Sequence, residues 1–246
     1  MKKIFGTMAA VAIAAITAFG AGPAGAAPVA TSPGGGATPN VIGGELAPAT
    51  PWAVQLLFVL DGQTYGCTGE QITASWVLTA QHCIDGISSM NVYHSNSTTN
   101  RGTAAPVDRV VAAPSGDIAL VHLRTAYPLS SYPSLNLTAT AVGSGTGTIL
   151  GYGARANSVG ADALYQATVR LTGSSSDAYS GAAQHINGST GAANHGDSGG
   201  PLIVGGRIIA VCSTGDESDP GANTQAGSNY ALLSQSASWI RSTAGV

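Results

Sequence analysis

Apolar residues in this chain come in short bursts separated by turn formers. Ala53–Leu60, Trp76–Thr79, Val107–Val111, Ile118–Leu123, Gly147–Gly151, Leu164–Leu171, Pro201–Val204 and Arg207–Val211 are such bursts, bounded by Gly, Pro, Asn, Asp or Ser. Segments of this length and spacing fit the strands of an all-β barrel or sandwich. One stretch departs from the pattern. In Ala231–Thr243, Leu232, Leu233, Ser236, Trp239 and Ile240 fall near helical spacing, which predicts a C-terminal helix. Asp61-Gly62 and Asp85-Gly86 read as hairpin turns. The run from Gly143 to Gly147 has glycines spaced like a phosphate loop, but no βαβ unit surrounds it, so it reads as a turn leading into a strand. A seam near Thr138–Ser144 separates two strand-rich halves.

The first forty residues carry a different signature. Met1-Lys2-Lys3 is a positive start, Ile4 to Phe19 is apolar, and Ala24-Gly25-Ala26 is a small-x-small cleavage site. Together they read as a secretory signal peptide over residues 1–26. Residues 27–40, rich in Pro, Gly, Ser and Thr, cannot bury a core and are expected to be a disordered short propeptide. The body is then 41–246, with an N-terminal half of about 41–140 and a C-terminal half of about 141–246. Its length suits one compact unit or two domains of about 100 residues each.

Composition narrows the function. Only 9% of residues are charged and 34 are glycine. After residue 20 no run approaches the ~18–20 apolar residues of a membrane helix, so no membrane span is expected. From Val41 onward seven arginines face twelve carboxylates, a net −5, with no lysine. Such a surface offers no basic patch for nucleic acid. Export permits disulfides. The three cysteines, Cys67, Cys83 and Cys212, leave one over. A Cys67–Cys83 bridge would close a short loop worth roughly 3 kcal/mol. No Cys/His spacing suits zinc, and no metal or cofactor is expected.

Three segments carry candidate chemistry: Thr79-Ala80-Gln81-His82-Cys83, Gly116-Asp117-Ile118-Ala119-Leu120 and Gly196-Asp197-Ser198-Gly199-Gly200-Pro201. A serine hydroxyl is a poor nucleophile near pH 7 until a neighbouring base takes its proton. Histidine suits that task, and a carboxylate holds it in one tautomer. Two backbone N–H groups must face the developing oxyanion, a role open to Gly196 and Ser198. Asp117 begins an apolar strand that would bury it against His82. His94, His122, His185 and His195 read as surface or rim residues.

These motifs resemble the trypsin/chymotrypsin family of serine peptidases, in which His, Asp and Ser follow in this order. The resemblance covers nearly all of 41–246. It implies two six-stranded antiparallel β-barrels, chymotrypsin-like, with a C-terminal α-helix. His82 matches the family's base, with Gln81 where Ala is usual. Asp117 matches the orienting acid, Ser198 the nucleophile, and Cys67–Cys83 the bridge beside the base. Ser238-Trp239-Ile240 matches the closing helix. The activity implied is peptide-bond hydrolysis by a secreted bacterial enzyme acting as a monomer on protein or peptide substrates. An inactive binding module on the same fold, or an esterase of the same mechanism, would share these residues.

The resemblance also implies a zymogen. Cleavage before Val41 would free an amine that pairs with buried Asp197 and orders Gly196. Asn40 stands where the family usually has Arg or Lys. The substrate pocket implied by the match comprises Ala192 at its floor, then Ala193, His195, Ser213, Thr214, Gly215 and Ser228. An uncharged floor predicts apolar rather than basic primary specificity. Thr214 replaces the family's Trp, and Asn194 replaces half of a pocket disulfide, so looser pocket loops are expected. Cys212 is expected to be a buried free thiol.

Overall fold

The computed structural model describes residues 41–246. The signal peptide and propeptide expected over 1–40 lie outside the described residues.

The polypeptide begins with a short strand, β1 (Glu45–Leu46), before the first barrel. That barrel closes from β2 (Ala53–Leu60), β3 (Gln63–Gln71), β4 (Trp76–Thr79), β5 (Ser89–Tyr93), β6 (Ala105–Ala112) and β7 (Ala119–Leu123), in the order β2-β3-β4-β7-β6-β5. The hairpin β2–β3 turns on Asp61 and Gly62, both with positive φ (49° and 77°), as its two-residue loop requires. Asp85-Gly86 is a different case. It lies between the short 3-10 turn Gln81–Cys83 and β5, which are not paired strands, so it is not a hairpin.

The second barrel holds β8 (Thr146–Gly151), β9 (Tyr165–Ser176), β10 (Ala182–Gly188), β11 (Pro201–Val204), β12 (Arg207–Gly215) and β13 (Gly227–Leu232). β8 pairs with both β11 and β9, which closes the ring, and β1 pairs with the start of β9 on the edge opposite β8, ahead of β10. Both barrels are antiparallel throughout, as chains joined by short turns favour.

Each barrel has its own apolar core. Val54, Leu56, Phe58, Val77, Val92, Val121 and Leu123 fill the first, and Ile149, Val169, Leu171, Ile186, Leu202 and Tyr230 fill much of the second. A third cluster lies between them, with Leu78, Ile118 and Leu120 from one side and Ile208, Val211 and Leu233 from the other. The period-2 alternation of strands sends one face inward and the other to this seam. The barrels therefore meet over a dry interface, and the candidate residues lie along its rim.

The C-terminal helix is shorter than expected. Strand β13 runs to Leu232, Leu233–Ser236 forms a 3-10 turn, and α1 spans Ala237–Ala244. Leu232 and Leu233 satisfied helical spacing in the sequence but are buried as the end of a strand and the start of a turn. Ile240 and Ala244, four residues apart, bury one helix face in the inter-barrel cluster. Gly245, with φ of 76°, stops the helix.

Candidate active site

His82 sits in the 3-10 turn just after β4, fixed there by a Cys67–Cys83 disulfide with a Cα–Cα distance of 6.3 Å. Asp117, fully buried, sits just before β7, the strand paired with β4. Pairing those two strands therefore brings residues 35 positions apart into contact. Asp117 Oδ2 accepts from His82 Nδ1 at 2.7 Å, and Oδ1 accepts from the His82 backbone N–H at 2.9 Å. Ser213 Oγ, also buried, donates to Oδ2 at 2.7 Å. A carboxylate with three donors has little conformational freedom, and it fixes the imidazole with Nδ1 protonated and Nε2 free. His82 Nε2 is buried and has no hydrogen-bond partner among the described residues.

Ser198 lies in the turn before β11. Its segment is strapped to β3 from the first barrel: the Thr68 N–H donates to Ser198 O at 2.9 Å, and Thr68 Oγ donates to Gly196 O at 3.0 Å. Gly199 is wedged beside the histidine's own segment. A Cβ there would fall 2.0 Å from Thr79 Oγ1 and 2.9 Å from Ala80 N, two residues ahead of His82. The serine is thus adjacent to the histidine without being bonded to it. Gly196 holds a φ of 93°, a conformation open to glycine. Among the described residues, the N–H groups of Gly196 and Ser198 donate to no protein acceptor.

Asp197 is the next buried carboxylate. Its two oxygens accept the backbone N–H groups of Gly153 (2.8 Å) and Asn194 (2.9 Å). Burial pushes its carboxyl up to about 7, and those two hydrogen bonds only partly oppose the rise. No cation stands beside it among the described residues. Val41 is buried too, with a left-handed φ of 43°, while Ile42 bridges to Ala192. A β-branched residue tolerates that backbone poorly.

A cavity of about 740 Å³ opens beside Ser198. Ala193, His195, Ser213, Thr214, Gly215 and Ser228 line it. Ala192 does not. It is 1% exposed and its backbone bridges to Ile42. Tyr179, Glu217, Pro220, Ala226 and Gly227 complete much of the wall. Its buried portion carries no charge, because the Cys212 thiol, free and hydrogen-bonded with Tyr230, is pushed well up by burial. Asn194 donates from Nδ2 to Arg155 O at 3.1 Å and accepts the His195 N–H at 2.8 Å, and these bonds brace this part of the cavity wall. His195 Nε2 is engaged by Ser218 O at 2.8 Å.

The remaining histidines are less exposed than their sequence context suggests. His122 meets Asp108 at 2.7 Å and packs edge-on against Trp76. His185 bridges to Asp216 at 2.8 Å. His94 stacks on Tyr127, and burial lowers it to about 4. The three possible metal-ligating side chains grouped among the described residues are Cys67, His82 and Cys83, and both of their sulfurs belong to the disulfide.

The Trypsin family model matches residues 41–240. The chain is 30% identical over 206 residues to Trypsin-3 of Salmo salar, a match spanning 72% of this chain and 82% of that protein. It is 30% identical over 184 residues to an uncharacterized peptidase of Corynebacterium glutamicum (strain R), spanning 71% of this chain and 62% of that protein's length. It is also 30% identical over 239 residues to chymotrypsin-like elastase family member 1 of Felis catus, spanning 82% of this chain and 88% of that protein. Among solved structures, neuropsin, described as a serine protease of mouse brain, superposes with a TM-score of 0.67. It is 21% identical and covers 82% of this chain and 98% of its own, a likeness of fold.

Proposed function

From the premise that this chain belongs to the trypsin family and is a serine endopeptidase, we propose that it cleaves peptide bonds with Ser198 as nucleophile, His82 as base and Asp117 as orienting acid. The observation that carries this reading is the double contact of Asp117 with His82, through both Nδ1 and the backbone N–H. That contact leaves Nε2 as the only ring position able to take the Ser198 proton. Attack of Oγ on the scissile carbonyl forms a tetrahedral intermediate, whose oxyanion is received by the Gly196 and Ser198 N–H groups. His82 then gives its proton to the leaving amine, and water releases the acyl group from Ser198 by the same steps.

The uncharged inner cavity wall supports cleavage after apolar side chains rather than Arg or Lys. A cation in its buried part would be desolvated, and the carboxylate among the lining residues, Glu217, is exposed to solvent. Activation is read as cleavage before Val41. The new amine would reach Asp197, lower its carboxyl from about 7, and relieve the strained φ at Val41. No helix among the described residues is long and apolar enough to cross a membrane. With the leader in residues 1–40, the reading is a secreted bacterial enzyme acting as a monomer on protein or peptide substrates.

A fluorophosphonate probe tests the chemistry, followed by mapping of the labelled residue and a peptide-library cleavage profile. Labelling of Ser198 with cleavage after apolar residues is expected. No labelling of the processed chain would identify a binding module instead, and preference for Arg would overturn the specificity.

A further inference from the structure

Asp117 belongs to the first barrel, yet much of what holds it comes from the second half of the chain. Ser213 of β12 donates to its carboxylate. Ser236 Oγ donates to Ser115 O at 2.7 Å, two residues upstream. The Asp117 backbone N–H itself donates to Asp177 Oδ2 at 3.0 Å, across 60 residues of sequence.

Asp177 is 6% exposed, and four donors surround it. Its Oδ1 accepts the N–H groups of Tyr179 (2.9 Å) and Gly181 (2.8 Å), closing the turn between β9 and β10. Its Oδ2 accepts the Asp117 N–H and Gln235 Nε2, the latter at 3.2 Å. Gln235 is held in place because both ends of its amide bond the backbone of Ala182. The same turn reaches Asp117 by a second route, since the Ala178 N–H donates to Ser213 Oγ at 3.0 Å. Tyr179, at the corner of the turn, lines the substrate cavity, and its hydroxyl donates to Asp85, just past His82.

We propose that Asp177 is a positioning residue that locks the Tyr179 turn of the cavity wall to the backbone of Asp117, so that acid and substrate wall are held as one unit. The proposal rests on the reading of Asp117 as the acid that orients His82. Asp177 touches no substrate and acts only through Asp117 and the turn. A carboxylate is the side chain the position calls for, because all four neighbours are donors and only an ionised carboxyl offers two oxygens with no proton of its own. In Asp177→Asn, either orientation of the amide sets its NH₂ against two donors, so one half of the lock must open.

The test uses the processed enzyme, with rates expressed per Ser198 titrated by a fluorophosphonate. Asp177→Asn should lower kcat by about 10- to 100-fold, the range expected when a catalytic group is slightly misplaced, with KM for a short peptide amide little changed. The low-field proton resonance of His82 Nδ1–H should shift with it. Gln235→Ala removes one partner of Asp177, a residue that does not line the cavity, and should give a smaller drop with the same signature. A merely structural role would lower the melting temperature and the yield of titratable enzyme while leaving kcat per site and the resonance unchanged, which would overturn the proposal. If Asp177→Asn does not fold, Gln235→Ala decides on the same two readouts. Failure of the parent reading looks different, because the unsubstituted enzyme would then not label at all.

Discussion

Two buried carboxylates, Asp117 and Asp197, are built in opposite ways. Asp117 is saturated: His82 donates to it twice and Ser213 once, over 2.7–2.9 Å. Asp197 has only two backbone amides and is raised to about 7 by desolvation. A buried anion needs compensation, and a raised carboxyl marks where that compensation is incomplete. On the proposed reading, the proton-handling side is already assembled before any cleavage at Val41, whereas the segment that would carry the oxyanion donors stands next to an acid with no cation beside it among the described residues. Glu70 extends the comparison. It is fully buried, neither carboxyl oxygen has a hydrogen-bond partner among the described residues, and burial raises its carboxyl well above the ordinary range.

Substitutions can break this comparison, beginning with the largest effect. Ser198→Ala in the processed enzyme should abolish turnover by about 10⁶-fold, and Asp117→Asn should cost about 10⁴-fold because the imidazole loses its tautomer. Peptide hydrolysis measured with matched substrate-analogue binding separates these losses from misfolding. Asp197→Asn should lower kcat of the processed chain by about 10²- to 10³-fold, the cost of a lost oxyanion donor, and should leave the His82–Asp117 resonance in place. An equal disturbance of both sites by Asp197→Asn would erase the distinction between them.

Next comes the effect of pH on stability. Asp197 and Glu70 bind protons more tightly folded than unfolded. Their support for the unprocessed chain is therefore full below about pH 4 and is lost as pH rises, for Asp197 through about 7. Thermal melts of the unprocessed chain should fall between pH 5 and 8. Glu70→Met should flatten that slope and raise the melting temperature at pH 8. Processing should flatten it as well, through Asp197 alone. The smallest structural effect is removal of the Cys67–Cys83 bridge, expected to cost about 3 kcal/mol in denaturant titration for a loop of this size.

The sequence was most legible where apolar side chains alternate or run together. Ala53–Leu60, Trp76–Thr79 and Pro201–Val204 are strands with those same bounds. It was least legible where strands are polar or glycine-rich. Gln63–Gln71, Ala182–Gly188 and Gly227–Leu232 are held by neighbours on both sides of a closed barrel, so their pairing comes from the ring and not from their own patterning. Among site residues, His82 and Asp117 could be matched because their motifs are local. Asp177 could not, because its meaning lies in contacts 58 and 60 residues away. Glu70 is no more legible, because the residues paired with it, Ala53 and Leu78, lie on other strands. Ala192, which the match implies as the pocket floor, bridges by its backbone to Ile42 and is not among the residues that line the cavity.

The contrast between the two aspartates is tested most directly by kcat/KM on one chromogenic peptide, measured for the unprocessed chain and for the chain beginning at Val41. An acetylated Val41 amine serves as the control. The account predicts that the free amine raises kcat/KM by at least about 100-fold, the worth of an oxyanion donor, and that acetylation removes the gain. Equal rates for all three forms would contradict it.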